Sequence, residues 1–169
     1  MDSRLQVKLV HYLVFSHFGG SLIMQTREKI LKVAEAFDDV IETRDIEKIL
    51  PFFAEDCEIE VLGITLQGRE GARVWLKWMF KHLALIKFKP VIIMVEGDTI
   101  FEEFMVNGVL HNGRKVSSKQ AEVLVYENYL VKKLRLYFDR LDFADAVSKG
   151  FFDKFIIRQI KKKSLQDLV

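Results

Sequence analysis

The strand-like stretch SKQAEVLVYEN contains a carboxyl group that could transfer protons. Glu122 alternates in step with Ser118, Gln120 and Leu124, so these side chains share one face of an extended strand. If that face meets a core of Phe, Leu and Trp, loss of hydration raises the pKa of the carboxyl into the range of a general acid or base. If it faces solvent, Glu122 is an ordinary surface residue. Glu122 is therefore the candidate catalytic residue, and Gln120 would position a substrate.

Two tryptophans could stack against a planar ligand. Trp75 belongs to the apolar stripe of a predicted helix, and Trp78 lies at the edge of that stripe. These positions favour core packing for Trp75 and a rim or interface for Trp78.

The other reactive residue types form no recognisable site. His11, His17, His82 and His111 lack the paired spacing of a zinc site, so no metal is expected. Cys57 is the single cysteine and is expected to be a buried structural thiol. Neither GxxxxGK nor GxGxxG is present, and no cofactor is expected.

Length and composition indicate one globular domain. The chain has 169 residues, 50% of them hydrophobic, which is enough for a sizeable core. The formal net charge of +2 gives no strong attraction to nucleic acid. The single cysteine favours a reducing, cytoplasmic location.

Residues 1–23 differ from the domain that follows. Basic residues precede an apolar run from Leu9 to Phe18, as in a signal peptide, but no small-residue cleavage site follows. The run is also too short to span a bilayer, so no integral membrane segment is expected. We interpret residues 1–23 as an extension outside the fold, with a peripheral element or a cleaved export signal as alternatives.

Helical periodicity predicts three helices ahead of Glu122. The first begins at Thr26, and the second begins at Asp45 and is bent or shortened by Pro51. A strand, CEIEVLGI, and a turn, TLQGREGA, precede the third helix over residues 70–83.

After the third helix the period changes to two. Strand-like runs are broken at Gly97, at residues 111–114 and at residues 127–128, which predicts an antiparallel meander. Helices followed by consecutive strands indicate an α+β fold with the helices on one face of a curved sheet.

Residues 146–169 are predicted to form a C-terminal amphipathic helix. The segment FFDKFIIRQIKKK places its apolar residues on one helical side and ends in three lysines. Such a helix could lie on a membrane surface. We prefer a helix that docks on the domain or on a second subunit.

The order of elements resembles a known superfamily. The stretches AFDDVIETRDIEKILPFFAEDCEIEVLG and YENYLVKKLRLYFDRLDF are similar to the nuclear transport factor 2-like proteins, within them the SnoaL-like proteins and their ketosteroid isomerase and limonene epoxide hydrolase relatives. The resemblance implies that residues 24–145 form a cone-shaped α+β barrel, a curved antiparallel sheet with three helices on its concave face, flanked by N- and C-terminal extensions. It also implies a homodimer through the outer sheet face, where Val123, Val125 and Tyr137 are expected.

The same resemblance implies a deep, largely apolar cavity inside the cone. In the last strand, Leu134, Leu136 and Phe138 should face it, with Arg135 and Tyr137 facing outward. The residues expected to line the cavity are Phe37, Ile41, Val61, Trp75, Met79, Phe104, Val106, Gln120, Leu124, Leu134, Leu136 and Phe138.

The polar residues of the epoxide hydrolases are missing. Their last-strand Asp corresponds to Leu136, and their Arg-x-Asp pair corresponds to Phe104 and Val106. Apolar side chains cannot hold and activate water, which argues against that activity.

The ketosteroid isomerase positions are retained only in part. The general base corresponds to Val61 and the helix tyrosine to Phe37, whereas the hydrogen-bond-donating acid corresponds to Glu122. One acid out of three groups argues against a steroid isomerase.

Three functions remain open from the sequence. The first is binding of a small apolar molecule in the cavity without the usual catalytic residues. The second is a lyase, isomerase or hydrolase of small organic molecules that uses Glu122 as acid or base. The third is a dimeric scaffold whose cavity is filled by its own side chains.

Overall fold

A computed structural model describes residues 25–148 and 150–166 of the chain. The predictions for residues 1–23, His11 and His17 lie outside the described residues. The element bounds are α1 (Arg27–Thr43), α2 (Ile46–Ile49), a 3₁₀ turn (Leu50–Phe52), β1 (Phe53–Val61), β2 (Ile64–Gln67), α3 (Gly68–His82), β3 (Leu83–Glu96), β4 (Thr99–Leu110), β5 (Lys115–Glu127), β6 (Leu130–Phe138), α4 (Leu141–Val147) and α5 (Phe151–Ser164).

The long first helix begins and ends at residues suited to those positions. Thr26 is its N-cap, and the hydroxyl oxygen accepts a hydrogen bond from the Lys29 backbone N–H at 3.3 Å. Arg44 ends the helix in the left-handed conformation, with φ of 62°. The buried stripe of α1 comprises Ile30, Ala34, Phe37 and Ile41.

The six strands form one sheet in the order β2-β1-β6-β5-β4-β3. All neighbouring strands are antiparallel except β1 and β6, which are parallel. Asn128 and Tyr129, both with positive φ, form the two-residue turn between β5 and β6. The predicted α+β fold with a curved, mostly antiparallel sheet is confirmed.

Irregular pairing curves the sheet around its helices. The β1–β6 register shifts between Phe53 and Glu58, and the β3–β4 register shifts between Pro90 and Ile92 on the edge strand. Glu42 of α1 accepts a hydrogen bond from the Phe88 backbone N–H at 2.9 Å, which ties the first helix to β3. Buried residues of α1, α2, α3 and one sheet face form a single core.

Two local predictions are wrong. Pro51 ends the second helix in a 3₁₀ turn, so β1 starts at Phe53 rather than at Cys57. The segment read as the turn TLQGREGA contains the short edge strand β2. After β6 the chain leads into α4, where the Asp139 carboxylate accepts a hydrogen bond from the Leu141 backbone N–H at 2.8 Å.

The C-terminal helix α5 contributes no buried residue within the described chain. Phe151 is 86% exposed, and Phe152, Phe155 and Ile160 are exposed as well. Docking on the same domain is therefore not observed, whereas a second subunit and a membrane surface remain as interpretations. No helix among the described residues is long and apolar enough to cross a membrane.

The outer sheet face carries the residues predicted to form a dimer. Val123 and Val125 are half-buried there, opposite in parity to Glu122, and Tyr137 is 50% exposed. The homodimer itself stays a prediction.

Candidate functional site

A cavity of about 280 Å³ lies between α1, α3, the concave face of β3–β6 and α4. Trp78, His82 and Arg140 are exposed and mark its mouth. The remaining lining is mostly apolar and comprises Phe37, Asp38, Ile41, Leu62, Trp75, Met79, Leu83, Ile86, Phe88, Phe104, Val106, Leu110, Gln120, Glu122, Leu136, Phe138 and Phe143.

Aromatic rings stiffen two walls of the cavity. Phe88 and Phe104 meet edge to face with centroids 5.7 Å apart, and Phe138 and Phe143 meet in the same way at 5.7 Å. Phe143 belongs to α4, so this short helix closes one side.

The strand alternation of β5 turns Glu122 inward. The side chain is 7% exposed, and its Cα partners on the neighbouring strands are Glu102 and Leu136. Burial raises the pKa of the Glu122 carboxyl well above its ordinary value, and the nearby Asp38 and Glu102 carboxyls raise it further. Burial therefore favours the protonated form of Glu122 at the wall of an apolar cavity.

A second carboxyl at the wall, Asp38, was missed by the sequence reasoning. Burial, followed by repulsion from Glu102, Glu42 and Asp39, raises the pKa of Asp38 to about 8. The signal was present in the helical spacing, because Asp38 lies four residues after the buried Ala34.

A third carboxyl, Glu102, stands directly opposite Glu122 on β4. It is 3% exposed, and its Oε1 atom has no hydrogen-bond partner among the described residues. Burial raises the pKa of Glu102 to about 6. Glu102 alternates in step with the buried Ile100 and Phe104 along β4, and this pattern predicts that its side chain points inward.

Of the four further buried polar atoms that lack partners among the described residues, two belong to aromatic side chains. They are the indole Nε1 of Trp75, which lines the cavity, and the hydroxyl of Tyr126. Burial and the three nearby carboxyls raise the pKa of the Tyr126 hydroxyl above its ordinary range. Ser118, by contrast, is satisfied, since its hydroxyl donates to the Asp142 carboxylate at 2.7 Å and holds α4 in place.

The structure brings most of the predicted site residues to one cavity. Those that line it are Phe37, Ile41, Trp75, Met79, Phe104, Val106, Gln120, Glu122, Leu136 and Phe138.

Three predicted lining residues instead belong to the core. Leu124 and Leu134 are cross-strand partners, and Leu134 also pairs with Ile59. All three side chains are buried in the core. Val61 is buried beside its partner Leu136. The prediction that Val61, Leu124 and Leu134 line the cavity therefore needs correction, because inward parity alone does not distinguish the core from a cavity wall.

The described residues contain no group of three or more His, Cys, Asp or Glu side chains placed to ligate a metal.

A protein-family model described as a SnoaL-like domain matches residues 33–132. No curated protein matches the chain. Solved structures share the fold. An NTF2-like protein of unknown function from Burkholderia pseudomallei is 18% identical, with a TM-score of 0.64 over 72% of this chain and 98% of its own. A putative polyketide cyclase from Xanthomonas campestris is 18% identical, with a TM-score of 0.66 over 72% and 98%.

A third similar structure contains a small molecule. It is a hypothetical protein with a ketosteroid isomerase-like fold from Catenulispora acidiphila, in complex with trimethylamine. It is 15% identical, with a TM-score of 0.61 over 67% of this chain and 89% of its own. At sequence identities this low, the structural similarity shows a shared fold and nothing further.

Proposed function

The chain belongs to the SnoaL-like domain family, and from that premise we propose that it binds a small, largely apolar molecule in the cavity, oriented by the Glu122 and Asp38 carboxyls. The observation that carries the proposal is the unfilled volume of about 280 Å³, close to the lower limit of about 300 Å³ for ligand pockets. A scaffold with a filled cavity would leave no such space.

Unpartnered polar groups in the wall support a ligand with one polar end. Buried polar groups in folded proteins nearly always have hydrogen-bond partners, and each unpaired one carries a desolvation cost. The Trp75 Nε1 atom is buried at the wall without a partner among the described residues. A ligand that places its polar group near Glu122 and its carbon skeleton against the phenylalanines would fit this wall.

One solved neighbour with this fold is in complex with trimethylamine, which supports uptake of a small molecule by a fold of this shape.

The volume itself can be tested by filling it. Val106 is 2% exposed and lines the cavity, so Val106→Phe should occupy the space that a ligand needs. Binding of 1-naphthylamine, an uncharged fluorophore, should weaken by about tenfold or more, as measured by fluorescence titration. Val74→Phe, at a 54% exposed position on α3, is the matched control and should bind the dye like the wild type. Equal binding by wild type and Val106→Phe would remove the proposed binding function.

Acid–base catalysis is the second candidate function. It is favoured by one observation, that Glu122 and Asp38 both line the apolar cavity and both have raised pKa values. A carboxyl poised near neutral pH in a dry pocket can accept or return a proton efficiently.

Ring opening of 5-nitrobenzisoxazole tests this chemistry without knowledge of the natural substrate. A carboxylate takes the C3 proton while the N–O bond breaks, which yields a cyanophenolate and the carboxylic acid. Glu122→Gln should lower turnover by about two to four orders of magnitude. Asp38→Asn should shift the alkaline rise of the rate to lower pH, because Asp38 raises the pKa of Glu122. A Glu122→Gln variant with undiminished turnover would exclude Glu122 as the base.

A further inference from the structure

The ionisable groups in the interior wall of the cavity are acidic, whereas the basic residues that line it, His82 and Arg140, lie at its exposed mouth. Asp38 from α1, Glu102 from β4 and Glu122 from β5 converge, and each of these carboxyls raises the pKa of at least one other or of the nearby Tyr126 hydroxyl. Asp39 and Glu42 on α1 add to the repulsion felt by Asp38.

The basic groups near the cavity are engaged elsewhere. Lys87 pairs with Glu42, the Arg140 guanidinium donates to the Leu62 carbonyl at 2.7 Å, and the His82 ring nitrogen Nδ1 lies 2.7 Å from the Trp78 carbonyl oxygen. His82 and Arg140 are exposed at the mouth. Among the described residues, no basic side chain lowers the raised pKa values of Asp38, Glu102 and Glu122.

Two of these carboxyls are largely removed from solvent. Glu122 is 7% exposed and lines the cavity. Glu102 is 3% exposed, with its Oε1 atom unpartnered among the described residues. Native proteins rarely leave several buried acids unpaired, which points to a group supplied from outside.

The aromatic part of the cavity wall is suited to binding a cation. Trp75, Phe88, Phe104, Phe138 and Phe143 present aromatic rings around the space beside the carboxyls. The electron-rich face of an aromatic ring attracts a cation by about 0.5 to 2 kcal/mol, more when the site is dry.

We infer that the ligand is an organic cation, an amine or quaternary ammonium whose charge lies against Asp38 and Glu122 and whose carbon substituents fill the aromatic cavity. This inference rests on the proposed binding function and names the class of its ligand. A cation stabilises ionised carboxylates, so its binding must release protons from the cluster, and its affinity must rise with pH.

The test compares two molecules of one shape. Benzyltrimethylammonium carries a permanent charge, and neopentylbenzene is its uncharged isostere with carbon in place of nitrogen. Displacement of 1-naphthylamine from the full chain should show the cation binding about tenfold or more tightly at pH 8.5 than at pH 5.5, with little change for the isostere. At pH 8.5 the cation should also bind about tenfold more tightly than the isostere.

A matched pair of variants locates the effect. Glu122→Gln should reduce the preference for the cation about tenfold, whereas Glu127→Gln, at an exposed position at the end of β5, should keep it. Equal affinities for the two molecules at pH 8.5 would overturn the inference and leave the binding function standing. Failure of both molecules and of the dye to bind would overturn the binding function together with the inference.

Discussion

Between about pH 4 and pH 8 the free energy of unfolding should fall steadily as the pH rises. The folded state raises the pKa of Asp38 from 3.8 to about 8, so over this interval the folded chain keeps a proton that the unfolded chain has lost. Stability rises with pH only where the unfolded state binds more protons, and here it binds fewer, so the slope is negative. The stabilisation is fully present below the pKa of the unfolded state. It is lost as the pH rises through the pKa of the folded state.

The expected slope is large. Each carboxyl of this kind lowers the free energy of unfolding by at most about 1.4 kcal/mol per pH unit, and Glu122, whose pKa is also raised, adds to Asp38. Asp45, Glu47 and Asp56 act in the opposite direction, because their cationic partners lower their pKa values, but their contribution is lost only below about pH 4. Urea unfolding at pH 5, 6, 7 and 8 measures the slope.

Asp38→Asn assigns the slope to one residue. An amide needs no desolvation of charge, so the variant should gain on the order of 3 kcal/mol over the wild type at pH 8 and show a flatter profile. Glu35→Gln, at an exposed position on the same helix, should reproduce the wild-type profile. A wild-type stability that does not change between pH 5 and 8 would show that these carboxyls are hydrated, which would contradict the desolvation inferred for them.

Phe37→Ala should cause the largest loss of stability among the residues that line the cavity. The ring is 1% exposed and contacts Phe53 edge to face at 5.3 Å and Phe52 at 5.8 Å. Its removal should cost about 3–5 kcal/mol, because the aromatic contacts are lost and the space cannot collapse against a cavity that is already empty. Urea unfolding at pH 5, where the carboxyls are protonated, isolates this packing term.

Phe151→Ala provides the control for that loss. Phe151 is 86% exposed on α5, so its truncation should change the free energy of unfolding by no more than about 0.5 kcal/mol. If Phe37→Ala changed the free energy of unfolding as little as Phe151→Ala, the Phe37 ring could not be packed in the cavity wall.

The inward placement of Glu122 could be predicted because it depends on strand period alone. Alternate residues of a strand point to opposite faces, so the apolar Leu124 in β5 marks the face that Glu122 shares. The same reasoning was available for Glu102, between Ile100 and Phe104, and was not applied. Asp38 was overlooked because a charged residue beside an apolar helical stripe is usually solvated.

Local periodicity in the sequence determined the class of fold, the inward faces of the strands and the helical stripe that carries Phe37, since each depends on neighbours in the chain. Only the tertiary structure decided that Asp38, Glu102 and Glu122 meet at one place, because that depends on the β4–β5 register and on the docking of α1 across the sheet. It also decided which inward residues, such as Leu134, are packed and which, such as Leu136, border empty space. Packing between distant segments sets where space remains, and no local pattern encodes it.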